Sequence, residues 1–462
     1  MSVSHTPLKI LFTQRDLKYR SGSELFTIET ALAMRDRGHE VRVYTPGGGN
    51  GMVLLRSKGI HVETRLSDLE WQPDIIHGQH HLQAITALLR FPQTPMVYYM
   101  HGGIPWVEQP PIHGRILKYV VMCEALIEGM ETNYHIPKKK VVAISNFVDL
   151  NRFSRVRNVA SKPSRALIFG NYRYSPEQMN EIEAACIETG LSLDKKGWNF
   201  GMVSEHPEID LLQYDIVFAV GRCALEALAV GCAVIPVFPG LACSLVTSEN
   251  LSRMRYTNFS PRKYSPEAQL DKEWLISQIQ RFSSQDTTAV TQFVRNECGM
   301  GVAVEALERV YRETIELHQE MKPLTLDDEY SQLHNYLEWI GPEADQLWGI
   351  KVGVIRDAEI NRETLTRVEK ELAETRLALA LQMTESSHKL EQIEINQTGL
   401  IDRLKENHSS KVAKLEKTIA SLRVFKQKWQ ATETYLNRGP LRRHFLKKII
   451  GKQQSKDKGR TS

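Results

Sequence analysis

No run of about eighteen apolar residues occurs in the 462-residue sequence, which excludes a helix that spans a bilayer. The six cysteines (Cys123, Cys186, Cys223, Cys232, Cys243 and Cys298) form no CxxC pair and have no histidines at matching spacing. That scatter argues against a metal site and against a disulfide framework, and it fits a reducing cytoplasm. Met1 to Pro7 is polar and runs straight into a strand-like segment, so no signal peptide is expected. Acidic residues are nearly missing from the end of the chain. Positions 438–462 hold nine lysines and arginines against Asp457 alone, which leaves 50 basic and 54 acidic residues for the rest. The mildly basic net charge of +4 therefore belongs to the tail, and the body gives no reason to expect nucleic-acid binding. Proline is absent from 355–436 and glycine occurs there once, at Gly399, which removes the usual punctuation of a compact mixed fold.

What is present before that stretch is alternation. Leu8–Thr13 and Val41–Thr45 read as buried strands, with a helix over Ser23–Arg37 between them that Gly38 closes. Ser21 and Glu24 have capping-box spacing at the start of this helix. The βαβ rhythm continues with strand Asp74–His77, helix Leu82–Arg90, strand Met96–Met100, a helix expected over Leu117–Tyr134 and strand Val141–Ile144. After a polar linker at Asn158–Ser164 a second α/β unit begins at Arg165, clearest in strand Ile216–Val220, helix Arg222–Val230 and strand Ala233–Val237. Helices over Pro266–Phe282 and Val302–Met321 close the body. The expected organisation is a Rossmann-like domain over 1–157, a second over 158–325, a helical linker over 326–354, a coiled coil over 355–437 and a basic tail over 438–462. The coiled coil rests on heptad-spaced Leu365, Leu372, Leu379 and Leu415, Leu422, Trp429, Leu436, with breaks at Ser386, Gln397 and Lys411. Its leucines serve either self-association or packing within the chain. In the tail, Leu441, Phe445, Leu446, Ile449 and Ile450 share a helical face among basic residues, a pattern suited to an anionic membrane surface or to a plain soluble tail.

Two facing parallel-sheet domains bind ligands at the C-terminal ends of their strands. Three loops reach that place. In the first, Ser21, Gly22 and Ser23 put backbone amides at a helix start where a phosphate can approach. In the second, His101 follows a strongly apolar strand beside Gly102 and Gly103 and can hydrogen-bond sugar hydroxyls. In the third, Gly221 opens a helix whose N-terminal amides favour a diphosphate, and Arg222 and Glu226 share one helical face. Glu226 is either an ion-pair partner of Arg222 or a carboxylate for a ribose diol.

In their order these landmarks resemble glycosyltransferase family 4, retaining enzymes of the GT-B fold, over roughly residues 8–320. The carriers are the Ser-Gly-Ser-Glu loop, Arg37-Gly38-His39-Glu40-Val41, Pro73-Asp74-Ile75-Ile76-His77, and the run from Val141 through Asn151-Arg152-Phe153. The resemblance implies a donor site built from an Arg and a Lys on the first loop of the second domain and two glutamates flanking the late helix. Arg173 matches the arginine and Glu226 the ribose-binding glutamate, while Gln178 stands for the lysine and Phe218 for the first glutamate. It further implies a UDP- or GDP-linked sugar as co-substrate, no metal or other cofactor, and a carbohydrate or lipid-linked carbohydrate acceptor. The catalytic expectation falls on His101, Arg173 and Glu226, with Ser21, Gly22, Ser23, Gly221 and Arg222 as further donor contacts. A homo-oligomer through the coiled coil and a position at the inner face of the cell membrane complete the expectation. The departures at 178 and 218 motivate one rival, a non-catalytic scaffold that organises partners through its coiled coil.

Overall fold

The computed structural model describes residues 6–18, 21–102, 106–261, 268–391 and 398–436. The chain divides into two compact units, 1–336 and 337–462.

The first unit opens with β1 (Lys9–Thr13), α1 (Gly22–Asp36), β2 (Glu40–Tyr44), α2 (Asn50–Ser57), β3 (His61–Glu63), β4 (Ile75–Gly78), α3 (His81–Arg90), β5 (Met96–Met100), β6 (Ile116–Val121), α4 (Ile127–Tyr134) and β7 (Val141–Ala143). These strands form one sheet in the order β3-β2-β1-β4-β5-β6-β7, parallel throughout. The order reverses between β1 and β4, which opens a crevice at their C-terminal ends. The helix expected over 117–134 is corrected. Ile116-Leu117-Lys118-Tyr119-Val120-Val121 is a strand between β5 and β7, and helix begins only at Ile127. Its β-branched and aromatic residues are covered on both faces, a setting that favours a central parallel strand over a helix. The capping box at Ser21 is also absent, because the Ser21 hydroxyl bonds the Glu24 carboxylate at 3.1 Å instead of a backbone amide.

The second sheet belongs to β8 (Arg165–Phe169), α5 (Pro176–Glu188), β9 (Ser192–Lys196), α6 (Pro207–Asp210), β10 (Ile216–Phe218), α7 (Gly221–Ala229) and β11 (Ala233–Ile235). Its four strands run parallel in the order β11-β10-β8-β9. A small antiparallel sheet, β12 (Val237–Phe238), β13 (Leu241–Ala242) and β14 (Ala268–Gln269), follows, with α8 (Leu251–Tyr256), α9 (Lys272–Gln280) and α10 (Ser284–Glu297).

α11 (Met300–Glu320) then leaves this domain. Backbone bonds Val148 N to Cys298 O (2.9 Å) and Met300 N to Val148 O (3.0 Å) mark the crossing. Ala303, Val304, Leu307, Val310 and Tyr311 join Ile10, Phe12, Val97 and Tyr99 in the core of the first sheet. The amphipathic period of 302–321 correctly gives a helix, but an apolar face does not say which sheet it will cover. Glu308 fixes the return, bonded to Arg37 (2.9 Å) and Arg312 (2.7 Å), and its carboxyl is held at about 2: burial opposes ionisation, and the two guanidiniums outweigh it.

The N-terminal turns of α12 (Leu326–Glu391) also seat on the first domain. Arg115, 2% exposed, makes a bidentate pair with Glu329 (2.8 and 3.0 Å) and donates to the carbonyls of Leu88, Phe91 and Thr94. Tyr336 bonds His81 Nδ1 at 2.8 Å. Arg115→Ala would leave three inward carbonyls and a half-buried carboxylate without their donor, so it is expected to cost about 3–5 kcal/mol. Chemical denaturation measures this, and a loss below about 1 kcal/mol would show that water replaces the guanidinium.

In the second unit the remainder of α12 pairs with α13 (Thr398–Leu436). Arg376 bonds Glu416 at 2.6 Å, and Leu365, Leu372 and Ile419 are buried. The helices end at Glu391 and resume at Thr398, so one of the three expected breaks, Gln397, falls outside the described residues, while Ser386 and Lys411 lie within helix. Leu365 and Leu372 of the heptad series thus find cover inside one chain. The basic tail 438–462 lies outside the described residues. Among the described residues no helix is long and apolar enough to cross a membrane.

Candidate active site

A cleft of about 970 Å³ runs along the C-terminal ends of both sheets. Its first wall is made by Gly22, Ser23 and Phe26 of α1, by Met100, His101 and Gly102 after β5, and by Glu108, Met122 and residues of α4. Gly170, Asn171 and Tyr172 after β8, the α7 tip Gly221-Arg222-Cys223, and Asn258 make the second.

His101 is set by a chain of hydrogen bonds that starts on β1. Thr13 Oγ1 exchanges bonds with the backbone of Gln79 (2.8 and 2.9 Å), which ties the ends of β1 and β4 together at the crevice. Gln79 Nε2 donates to Thr27 (2.9 Å), so its carbonyl oxygen faces His101 Nε2, which must carry the proton. The ring is then neutral with Nδ1 as an acceptor, suited to take a hydrogen bond from a hydroxyl. Burial pulls the imidazole down to about 4, against the pull of nearby Glu108. Glu108 accepts from the His101 backbone amide at 3.0 Å and lies 3.6 Å from His80 Nε2. Burial pushes its carboxyl up, but these partners prevail and hold it below the ordinary range. Nothing local in the sequence marks Glu108 or Gln79, because each is recruited by strand order.

On the opposite wall Gly221 has φ +57°, the left-handed region, and its amide is already donated to the Asn258 carbonyl at 3.1 Å. Arg222 and Cys223, next along α7, line the cleft, and in the first turn of a helix their amides have no carbonyl four residues back within it. The Arg222 guanidinium is held on two sides. Nε donates to Glu226 at 2.9 Å, and Nη2 donates to both oxygens of Glu29, on α1 of the first domain. Its carbon centre stands 5.7 Å from the Phe147 ring. Burial raises the Glu29 carboxyl, with Arg222 opposing, while the two carboxylates raise Arg222 further against its own desolvation. Asn146 bonds Asn258 at 3.0 Å and gives a second contact between the walls.

Among the expected site residues, Gly22, Ser23, His101, Gly221 and Arg222 meet at this cleft. Ser21 caps nothing and bonds Glu24. Glu226 is buried on the inner face of α7, bonded to Arg222, and does not itself line the cleft. The ion pair weighed for it is therefore present. Arg173 stands exposed and outside the cleft lining, so the first loop reaches the cleft through Asn171 and Tyr172.

Residues 20–152 match the family model described as Glycosyltransferase Family 4. Among solved structures, a glycosyltransferase from Rickettsia africae ESF-5 aligns with a TM-score of 0.51 at 15% identity, covering 67% of this chain and 99% of its own. Anabaena HepE, solved in complex with UDP and glucose, gives 0.46 at 13% identity over 66% of this chain and 100% of its own. No curated protein matches in sequence. Over residues 20–152 the chain is thus similar to glycosyltransferase family 4. With the second parallel sheet these residues make a GT-B fold, and the two departures from the family pattern acquire structural reasons. Gln178 completes a capping box on α5, its side chain accepting from the Ser175 amide (3.1 Å) while Ser175 Oγ accepts from its own (3.3 Å). Phe218, fully buried at the end of β10, packs in the core of the second sheet with Ile168 and Ile235.

Proposed function

We propose that this glycosyltransferase moves a sugar from a UDP- or GDP-linked donor to a hydroxyl of a carbohydrate or lipid-linked carbohydrate acceptor, with retention of configuration. The observation that carries the reading is one cleft with the arginine-bearing helix tip Gly221-Arg222-Cys223 on one wall and a neutral histidine, His101, on the other. In the transfer the bond from the sugar's anomeric carbon to the β-phosphate oxygen breaks. A new bond forms to the acceptor oxygen on the same face, and the hydroxyl proton passes to the departing phosphate. Arg222 and the amides of α7 stabilise the charge that develops on the diphosphate, so the chemistry assigned here needs no metal ion. His101 Nδ1 accepts from a donor-sugar hydroxyl and orients the ring. Glu226 acts through Arg222, whose guanidinium it anchors, while Ser23 and the α1 amides border the acceptor side.

The reading places the chain in the cytoplasm, for which the scatter of six cysteines without a CxxC pair is the support. It keeps a homo-oligomer formed by the helical extension, for which the exposed Leu377 and Leu381 of α12 are the support. It keeps membrane contact for the basic tail on sequence pattern alone.

Radiolabelled nucleotide sugars offered with a panel of saccharide and lipid-linked acceptors should give a product from at least one UDP or GDP donor. No product and no donor hydrolysis across the panel would defeat the proposal. The exposed position of Arg173 favours the scaffold reading, in which the cleft is a relic and the chain organises partners. Calorimetry separates the two, since a scaffold ignores UDP and GDP while the enzyme binds one of them at micromolar to millimolar strength.

A further inference from the structure

The cleft's one cationic side chain at the α7 tip is not waiting in solvent. Arg222 is clamped by two carboxylates, one on its own helix and one, Glu29, on the opposite domain. Side chains of Glu29, Arg222 and Glu226 are 10%, 13% and 7% exposed, so the cluster is sheltered from screening by water and salt. Two carboxylates around one guanidinium leave a net negative charge beside the very amides that would receive a diphosphate. A leaving group carrying more negative charge cannot share that guanidinium fully while both carboxylates keep it.

We infer that Glu29 is a positioning residue that holds Arg222 from the acceptor-side domain and gives it up to the donor's diphosphate, so that donor entry and the latch between the domains compete for one guanidinium. This rests on the reading of the cleft as a nucleotide-sugar site. The sequence carries no sign of it, because Glu29 and Arg222 lie 193 positions apart. Geometry favours exchange. Nε of Arg222 keeps its bond to Glu226, while Nη2, the atom that serves Glu29, belongs to a side chain on the cleft wall. Glu226 thus anchors the guanidinium while Glu29 competes for its outer face.

The test uses the full-length protein with UDP and GDP as probes, in isothermal calorimetry. Glu29→Gln, which keeps shape and removes the charge, should bind the preferred nucleotide about tenfold more tightly, the scale of one charge-assisted hydrogen bond no longer opposed. Glu29→Asp should return the affinity toward that of the wild type. A fluorescence-transfer pair, one dye on each sheet domain, should show a broader distance distribution in ligand-free Glu29→Gln than in the wild type. Unchanged or weaker nucleotide binding in Glu29→Gln, with the wild type binding normally, overturns the inference, as does an unbroadened distance distribution. Failure of wild type and variant alike to bind either nucleotide removes the nucleotide reading of the cleft, and the inference falls with it. That outcome differs from the first two because the wild type itself is silent.

Discussion

Arg222→Ala is expected to lower kcat/KM about 100-fold and to destabilise the fold at the same time, two effects that arise from the same cluster and separate by pH. In the proposed transfer the kinetic loss follows from removing the side-chain charge that would stabilise the departing diphosphate. One positioned donor of this kind is worth on the order of 10²–10³ in rate, and the α7 amides remain to sustain a residue of activity. The stability loss follows from what is left behind. Glu29 and Glu226 would face each other, sheltered and without a cation, a situation that costs about 3–5 kcal/mol while both stay ionised. Their folded-state carboxyls would then lie above the unfolded value, so protonation relieves the penalty. Destabilisation should be largest near pH 8 and shrink below about pH 5, whereas the kinetic defect persists wherever the variant is folded. Arg222→Lys should recover little of either, since a single ammonium cannot reach two carboxylates in a fixed fork. A variant with near-normal kcat/KM would show that the α7 amides alone carry the leaving group, and Arg222 would then be a purely structural latch.

How much of this was readable beforehand depends on the range of the interactions. β1, α1 and β2 were visible because buried strands, a capped amphipathic helix and Gly38, at φ +93°, agree on one local answer. The failure at 116–121 came where local preference was ambiguous. Leu117, Val120 and Val121 followed by Ala125 and Leu126 mimic a helical stripe, and only pairing with β5 and β7 decides for strand. Gly221 and His101 were legible as cleft residues because strand-then-glycine is a local signature of a sheet's ligand edge. Arg173 was legible as a type but not as a direction, since the loop after β8 turns Asn171 and Tyr172 inward. Glu29, Gln79 and Glu108 were invisible in principle, since each gains its role from a partner on another strand or domain. The heptads present the same limit. A leucine every seventh residue states that a helix needs a partner, and it does not state that α13 of the same chain will supply one.

Acid should unfold this protein earlier than its carboxylates alone would. His77, His81 and His101 are held neutral in the fold, His77 at about 3 and the other two at about 4, with burial the leading cause in each. His77 is the strictest case. Its ring stacks on Phe12 with centroids 4.6 Å apart, Nδ1 meets the Tyr311 hydroxyl at 2.6 Å, and Nε2 is buried with no hydrogen-bond partner among the described residues. A proton there would add a charge and an unmet donor to the centre of the first core. Because the folded values lie below the unfolded value of about 6.5, the unfolded chain takes up protons first. The contribution to stability is complete above about pH 6.5 and is lost as pH falls, until it is exhausted near 4 for His81 and His101 and near 3 for His77. At pH 5 each histidine has cost roughly 2 kcal/mol, and three together approach the whole stability of an ordinary domain. Glu308, held at about 2 by its arginines, begins to fail only below about pH 4.5, so it deepens the transition without starting it. Because burial also lowers His113, to about 4, and His39, equilibrium denaturation across pH 8 to 4.5 should be flat above pH 7 and steepen below 6.5 toward a slope of at least three protons, about 4 kcal/mol per pH unit. His77→Gln should be less stable than the wild type at pH 8 and should lose one proton from that slope. A slope below one proton for the wild type would mean that these rings take up protons in place, and that the first core opens to water around them.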